Sequence, residues 1–199
     1  MLWYDQEHVE EQELHDVASC KPYVGRQGTT WIDVGGVGDP AVLQWLGKEY
    51  NLHVLALEDV QSLRERPKVE TYDGQKFVVF RLLRHEGDVH TEQIAAFLAG
   101  STLITFQEDV IDPWEPVRNA IRGGVGEVRS AGADFLLYLL IDVALDEIFP
   151  LLELISDQLE DLEQAVIDDP TPEIMDKIFT LKRSLLTMRK SVWPEREVI

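Results

Sequence analysis

The stretch QIAAFLAGSTLITF, residues 93–106, decides the fold because it holds two strand-like segments joined by a turn. Gln93 to Leu98 and Thr102 to Phe106 are dominated by apolar residues, and Ala99-Gly100-Ser101 separates them. Two such runs with a short glycine-containing connection predict a β-hairpin. We therefore expect these residues to form two neighbouring buried strands of a sheet.

The segments before and after this hairpin alternate between strand-like and helix-like patterns. Residues 77–83 have a further buried-strand pattern, and Trp31 to Val34 is a short β-type run. Apolar residues at helical spacing, with Asp39 as an N-cap for the first segment, mark three helices: 40–50, 53–63 and 113–121. Together these segments predict an α/β fold, a mixed β-sheet flanked by helices in an α/β/α sandwich.

The last third of the chain is helical almost throughout, and its apolar residues form two stripes at spacings of three and four. The stripes consist of Leu152, Ile155, Leu159, Leu162 and Val166, and of Ile174, Ile178, Leu181, Leu185, Met188 and Val192. Residues 168–172, Asp-Asp-Pro-Thr-Pro, should stop one helix and start the next, with Thr171 as N-cap. We predict a long antiparallel helical hairpin and a division of the chain into an α/β domain, 1–133, and a helical part, 134–199.

Two further features of this helical part carry expectations. Pro150 removes a backbone donor and should kink the helix. The first helix of the hairpin carries acidic residues, namely Asp157, Glu160, Asp161 and Glu163. The second carries basic residues, namely Lys177, Lys182, Arg183, Arg189 and Lys190. Opposite charges on paired helices should add attraction of about 0.2–1 kcal/mol for each exposed pair.

Composition limits the partners, the disulfide chemistry and the membrane segments that this sequence can have. The 199 residues carry a formal net charge of −19, which argues against a nucleic-acid partner because phosphate binding needs an excess of Lys and Arg. The single cysteine, Cys20, rules out an intramolecular disulfide and fits a reducing compartment. No uncharged apolar run reaches the ~18 residues that a membrane helix requires.

Several strings then occur in a characteristic order: HVLALEDV at 53–60, RPKVE at 66–70, QE at 107–108, ADFLLY at 133–138, LID at 140–142, LKR at 181–183 and WPEREV at 193–198. This ordered set resembles the cytoplasmic region of the CorA family of divalent-cation transporters. The resemblance extends over roughly residues 29–199. It implies a magnesium transporter, with cobalt or nickel as alternative ions, and not an enzyme.

The resemblance further implies a homopentamer in the inner membrane, with this region on the cytoplasmic side. We expect the stalk, both membrane helices and the Gly-Met-Asn selectivity motif to lie beyond Ile199, so that this region is itself soluble and touches the membrane only through them. Intracellular Mg²⁺ would bind between neighbouring subunits and favour the closed state.

The residues that match the family's regulatory site are Glu58, Asp59 and Asp142. Asp146 follows Asp142 at i, i+4 and should share its helix face. Mg²⁺ prefers oxygen ligands and keeps several waters, so one or two carboxylates could suffice for each site. Since the partner acids of the stalk lie elsewhere, we expect half a site here, with weak affinity for Mg²⁺ or another divalent cation.

Three other interpretations stay open at this point. A zinc-transporting relative would share the fold and differ in motifs outside this region. A metal-dependent enzyme would need clustered His and acidic ligands, and no such cluster is evident. A structural oligomerisation module would be indifferent to metal, and its surface acids would be solvated, as surface carboxylates usually are.

Overall fold

A single mixed sheet organises the chain, which the computed structural model describes over residues 1–37, 39–108, 112–168 and 171–198. Its seven strands follow the order β2-β1-β3-β7-β6-β5-β4. They are β1 Leu2–Tyr4, β2 Val9–Glu11, β3 Thr29–Gly35, β4 Lys68–Tyr72, β5 Gln75–Glu86, β6 Asp88–Ala99 and β7 Thr102–Gln107. The helices are a 3₁₀ helix, Val17–Tyr23, then α1 Pro40–Glu49, α2 Val54–Ser62, α3 Glu115–Gly123, α4 Ala133–Asp146, α5 Ile148–Asp168 and α6 Pro172–Glu195.

The predicted hairpin is confirmed as β6 and β7, which pair antiparallel from Ile94 with Gln107 to Ala99 with Thr102. Gly100 lies in the turn with φ 62°, a left-handed conformation that glycine adopts without steric cost. β3 and β7 are parallel neighbours. The chain therefore crosses between them through α1, α2 and the β4–β6 meander, as parallel pairing requires.

Both faces of the sheet are buried, which confirms the α/β/α sandwich. Because successive side chains of a strand point to opposite faces, Val78 and Phe80 enter one core while Phe77 and Val79 enter the other. α3 and α4 cover the first face. α1, α2 and the 3₁₀ helix cover the second.

Helix ends follow local chemistry. The Asp39 side chain accepts a hydrogen bond from the Ala41 N–H and caps α1, as predicted. α4 ends at Asp146 and α5 starts at Ile148, so the bend expected at Pro150 is present but falls one turn earlier. Pro150 has no N–H to donate to the carbonyl four residues before it, and this is where the helix breaks.

The helical hairpin is held by an apolar seam. Ile155 and Leu162 of α5 pack with Leu181 and Met188 of α6, over the end of the β5–β6 hairpin. In the part of the chain that the structure describes, no salt bridge joins α5 to α6, and the acidic and basic side chains predicted to pair are exposed. The expected ion pairs between the two helices are therefore not formed in this structure, and the attraction between their opposite charges stays a prediction.

The connection between α5 and α6 is only partly described, because Asp169 and Pro170 lie outside the described residues. Pro172 is the first residue of α6, as predicted. Thr171 precedes it, but its side chain makes no capping hydrogen bond. The division of the chain at residue 133 stays a prediction, and α4 itself packs against the sheet.

A buried ion pair fastens α3 to the sheet. Arg118, 8% exposed, donates from Nη2 to Asp33 Oδ2 at 2.6 Å and from Nε to Asp112 Oδ2 at 2.7 Å. Its guanidinium also lies over the ring of Trp31, 4.3 Å from the centroid. Asp33 is part of β3, so one side chain joins the helix to the centre of the sheet.

Replacing this arginine tests the role of the pair. Arg118→Met leaves the Asp33 carboxylate buried without its countercharge, and we expect the free energy of unfolding to fall by about 3–5 kcal/mol, measured by urea denaturation. The double variant Asp33→Asn, Arg118→Met should recover part of the loss. Arg122→Met, whose side chain is 40% exposed, is the control and should cost under about 1 kcal/mol. If Arg118→Met destabilised the protein no more than the control does, the proposed stabilising role of the Arg118–Asp33 pair would be contradicted.

Candidate functional site

The four carboxylates predicted to bind a cation lie on two helices that the sheet separates. Glu58 is exposed and Asp59 half-buried on α2, while Asp142 and Asp146 are exposed on α4. α2 belongs to the core on one face of the sheet and α4 to the core on the other. A single copy of the chain therefore does not bring the two pairs to one ion.

The apolar pattern of each helix explains why these carboxylates face outward. In α2, Ala56 and Val60 are buried against the sheet, and their i, i+4 spacing puts them on one helix face. Residue 58 points away from that face, whereas residue 59 lies at its edge and is half-buried. In α4, Leu136, Leu140 and Ala144 form the buried stripe. The predicted i, i+4 pair, 142 and 146, lies outside it on a common face.

Neither pair is a complete metal site. Across the described ranges, no group of three or more His, Cys, Asp or Glu side chains is placed to hold a metal ion. His53 belongs to no such group, and its ring stacks on Tyr72 with centroids 4.2 Å apart. Within one chain, any cation would have to obtain most of its ligands from water.

Asp59 differs from the other three carboxylates because it already has a charged partner. Lys68 Nζ lies 2.7 Å from Asp59 Oδ2, 3.4 Å from Glu65 Oε2 and 3.3 Å from Glu70 Oε2. Burial lowers the pKa of Lys68, but its hydrogen bonds with Asp59 and Glu70 outweigh that effect and raise the pKa above its usual value. The ammonium therefore stays charged, with three carboxylates around it.

The other predicted carboxylates have no such partner. Among the described residues, no ion pair or side-chain hydrogen bond involves Glu58, Asp142 or Asp146. Their oxygens therefore face solvent, where a hydrated cation can approach them.

The loop after α2 is fixed by a partly buried hydrogen-bond network next to Asp59. The N–H of Glu65 donates to Gln93 Oε1 at 2.9 Å, and its carbonyl accepts from Arg81 Nη2 at 2.6 Å. Gln93, 2% exposed, also donates from Nε2 to the carbonyl of Asp59 at 3.1 Å. The loop 63–67 is thus tied both to the end of α2 and to the sheet.

The same network reaches the end of α6. The pairing of β4 with β5 ends at Lys68 and Val79, so β4 does not pair with Arg81. The Arg81 N–H donates instead to Glu195 Oε1 at 2.6 Å. Glu195 is only 4% exposed. Burial raises the pKa of its carboxyl to about 7, against the opposing effects of the Arg81 N–H and guanidinium.

Sequence reasoning missed this network, although one signal was available. Arg81 interrupts the apolar run of 77–83, and a charged residue inside a buried strand requires partners. The pattern could not name those partners, because Glu65, Gln93 and Glu195 come from three other parts of the chain.

Comparison with known proteins identifies the family. A family model described as "CorA-like Mg2+ transporter protein" matches residues 26–199. The cobalt/magnesium transport protein CorA of Thermotoga maritima is 36% identical over 199 residues, which cover 98% of this chain and 57% of that protein. The chain belongs to the CorA-like Mg²⁺ transporter family. This family consists of ion transporters and not of enzymes.

Solved structures support the CorA fold assignment. The complete CorA magnesium transporter of Methanocaldococcus jannaschii matches with a TM-score of 0.77 at 20% identity, over 99% of this chain and 60% of that one. The ZntB cytoplasmic domain of Vibrio parahaemolyticus matches with a TM-score of 0.70 at 12% identity, over 98% of this chain and 75% of that one. At these identities both likenesses concern the fold alone.

The CorA-like chain spans little more than half of its Thermotoga relative, and no helix in its described ranges is both long and apolar enough to cross a membrane.

The donor set at its surface fits Mg²⁺. Glu58, Asp142 and Asp146 offer only oxygen ligands and leave room for the waters that Mg²⁺ retains. Asp59 could join Glu58 once its contact with Lys68 is broken.

The buried Glu195 makes stability depend on pH. The pKa of this carboxyl in the folded state, about 7, lies above the ordinary value of 4.5. The stability that the protonated carboxyl contributes is therefore fully present below pH 4.5 and is lost as the pH rises through 7. We expect the wild type to lose at most about 3 kcal/mol from this group between pH 5 and 8. Glu195→Gln should remove that part of the slope in urea unfolding at several pH values.

Glu197→Gln is the matched control, because Glu197 lies two residues away with its side chain 64% exposed. It should keep the wild-type pH dependence. An unchanged slope in Glu195→Gln would show that another group titrates.

Proposed function

We propose that this chain is the cation-sensing region of a CorA-type magnesium transporter, in which divalent cations bound between neighbouring subunits of a homopentamer favour the closed state. The observation that supports this proposal is the placement of two carboxylate pairs on opposite sides of the sheet, with Glu58, Asp142 and Asp146 exposed and Asp59 half-buried. In a closed ring built from head-to-tail contacts, one surface of each copy meets a different surface of the next. Pairs on opposite faces suit such a contact.

The chemistry of the cation supports this arrangement. Carboxylates that approach each other across an interface repel, and a divalent cation between them replaces that repulsion with attraction. Mg²⁺ can bridge them directly or through its waters. Because a ligand favours the conformation that binds it better, Mg²⁺ would stabilise the assembly in which neighbouring subunits are drawn together.

Magnesium is favoured over zinc by the donor set. ZntB, which is named a zinc transport protein, has a cytoplasmic domain of similar fold. Zn²⁺, however, prefers His nitrogen and Cys sulfur ligands, whereas Glu58, Asp59, Asp142 and Asp146 offer carboxylates alone. A metal-indifferent oligomerisation module would carry these acids as ordinary solvated surface groups, and the response of Tm to Mg²⁺ distinguishes it from the sensor.

The location of the whole protein is part of the same proposal. Since the chain covers 57% of the Thermotoga relative, the membrane helices and pore would lie in further sequence. The region described here would then be on the cytoplasmic side of the cell membrane, where it senses the ion that the protein transports.

Thermal unfolding in EDTA and in MgCl₂ tests the proposal. At ten times the dissociation constant, binding to the folded form alone contributes about 1.4 kcal/mol, which should raise Tm by roughly 3–6 °C for a chain of this size. Because the site joins two copies, the shift should grow with protein concentration. Asp59→Asn and Asp142→Asn should each reduce it.

Asp157→Asn serves as the control, because Asp157 is an exposed acid on α5 outside both pairs and should leave the shift unchanged. Sedimentation velocity in the same buffers reports assembly. Assembled protein whose Tm does not respond to Mg²⁺ would contradict the proposal, and a larger response to Zn²⁺ than to Mg²⁺ would favour the zinc alternative.

A further inference from the structure

We propose that Lys68 is an internal competitor of the cation at Asp59, and that its displacement signals cation binding through the loop 63–67 and Arg81 to the end of α6. This inference rests on the proposed cation site at Glu58 and Asp59. It adds a residue that sets the affinity of that site and a route by which binding is transmitted within one subunit.

The competition follows from one contact. The Lys68 ammonium occupies the Oδ2 side of Asp59 at 2.7 Å. A divalent cation bound to the same carboxylate would lie beside that ammonium, and like charges at contact distance repel strongly when both are partly shielded from water. Only about a quarter of each side chain is exposed. The cation and the ammonium therefore exclude each other at this position.

The displaced ammonium has somewhere to go. Glu65 and Glu70 already lie 3.4 Å and 3.3 Å from Lys68 Nζ. A shift of Nζ away from Asp59 can shorten both contacts without leaving the lysine unpaired. This makes exchange between ammonium and cation inexpensive for the fold, unlike the loss of a buried pair.

Glu65 converts that shift into movement of the backbone. Its Oε1 accepts from Ser62 Oγ at 2.8 Å, its N–H donates to Gln93, and its carbonyl accepts from Arg81 Nη2 at 2.6 Å. Drawing its carboxylate toward Lys68 therefore pulls on the loop from which Arg81 obtains its acceptor. Gln93 provides a second connection, since its Nε2 holds the carbonyl of Asp59.

Arg81 joins the loop to α6. Its guanidinium binds the Glu65 carbonyl, and its N–H is the donor to Glu195 Oε1, both at 2.6 Å. The remaining charge that faces the guanidinium is Glu108, at 3.9 Å. Five residues in contact thus connect the candidate cation ligand to the last residue of α6: Asp59, Lys68, Glu65, Arg81 and Glu195. A change at Asp59 should loosen the hydrogen bond that anchors α6.

Cation affinity and amide exchange together test both parts in the 199-residue chain. Lys68→Met removes the competing charge and should raise the apparent Mg²⁺ affinity, measured by titration calorimetry, by about tenfold. Lys68→Arg keeps the charge and should stay close to wild type. In wild type, saturating Mg²⁺ should accelerate exchange of the Arg81 amide several-fold, whereas in Lys68→Met this amide should no longer respond to Mg²⁺.

Lys76→Met is the matched control, because Lys76 lies in the same pair of strands and its Nζ donates to Thr71 Oγ1 rather than to a carboxylate. Its affinity and its exchange response should match wild type. Equal Mg²⁺ affinity in wild type and Lys68→Met would overturn the inference and leave the proposed function standing. No Mg²⁺ binding by any of the folded variants would overturn both.

Discussion

The constraint on which the structure depends is a β-sheet buried on both faces. Strand alternation sends Phe77 and Val79 to one side and Val78 and Phe80 to the other, so helices must cover both sides. The charged residues that those helices expose then lie on one of two outer surfaces, whereas the buried Arg118 of α3 is paired with Asp33 of the sheet. As a direct consequence, α2 and α4 lie on opposite sides of the sheet. Their carboxylates could therefore share a cation only across a contact between two copies of the chain.

The parts of the fold that sequence predicted are those with strong local signals. The β6–β7 hairpin, the buried run of β5 and the Asp39 cap each depend on neighbouring residues alone. β1, β2 and β4 were missed because they are short strands of three to five residues, too brief to show a period. Glu58, Asp59 and Asp142 were predicted through resemblance and Asp146 through its i, i+4 spacing to Asp142, whereas the exposure of three of them and the pairing of Asp59 required the structure.

Electrostatic partners were predicted least well, because a charged side chain chooses its partner in space. The acidic α5 and basic α6 read as a charge-matched pair, yet their contact is apolar through residues such as Leu162 and Leu181. Exposed pairs contribute little beside such a seam. Conversely, Arg81 in the middle of a strand gave no hint of Glu195, 114 residues later, although this contact holds the end of α6.

The lysine beside Asp59 bears on how a carboxylate site can sense an abundant ion. A site of free carboxylates in fixed geometry would fill at low cation concentration and remain filled. A site in which one carboxylate is already neutralised binds the cation only by exchange, so its apparent affinity is lower although its ligands are the same. Exchange also displaces the Lys68 ammonium. Because this ammonium contacts Glu65, its displacement would act on the hydrogen bonds that connect Glu65 through Arg81 to α6. Affinity and signal would then come from one residue, and the hydrogen bonds that tie the loop 63–67 to Gln93 and Arg81 would carry the signal.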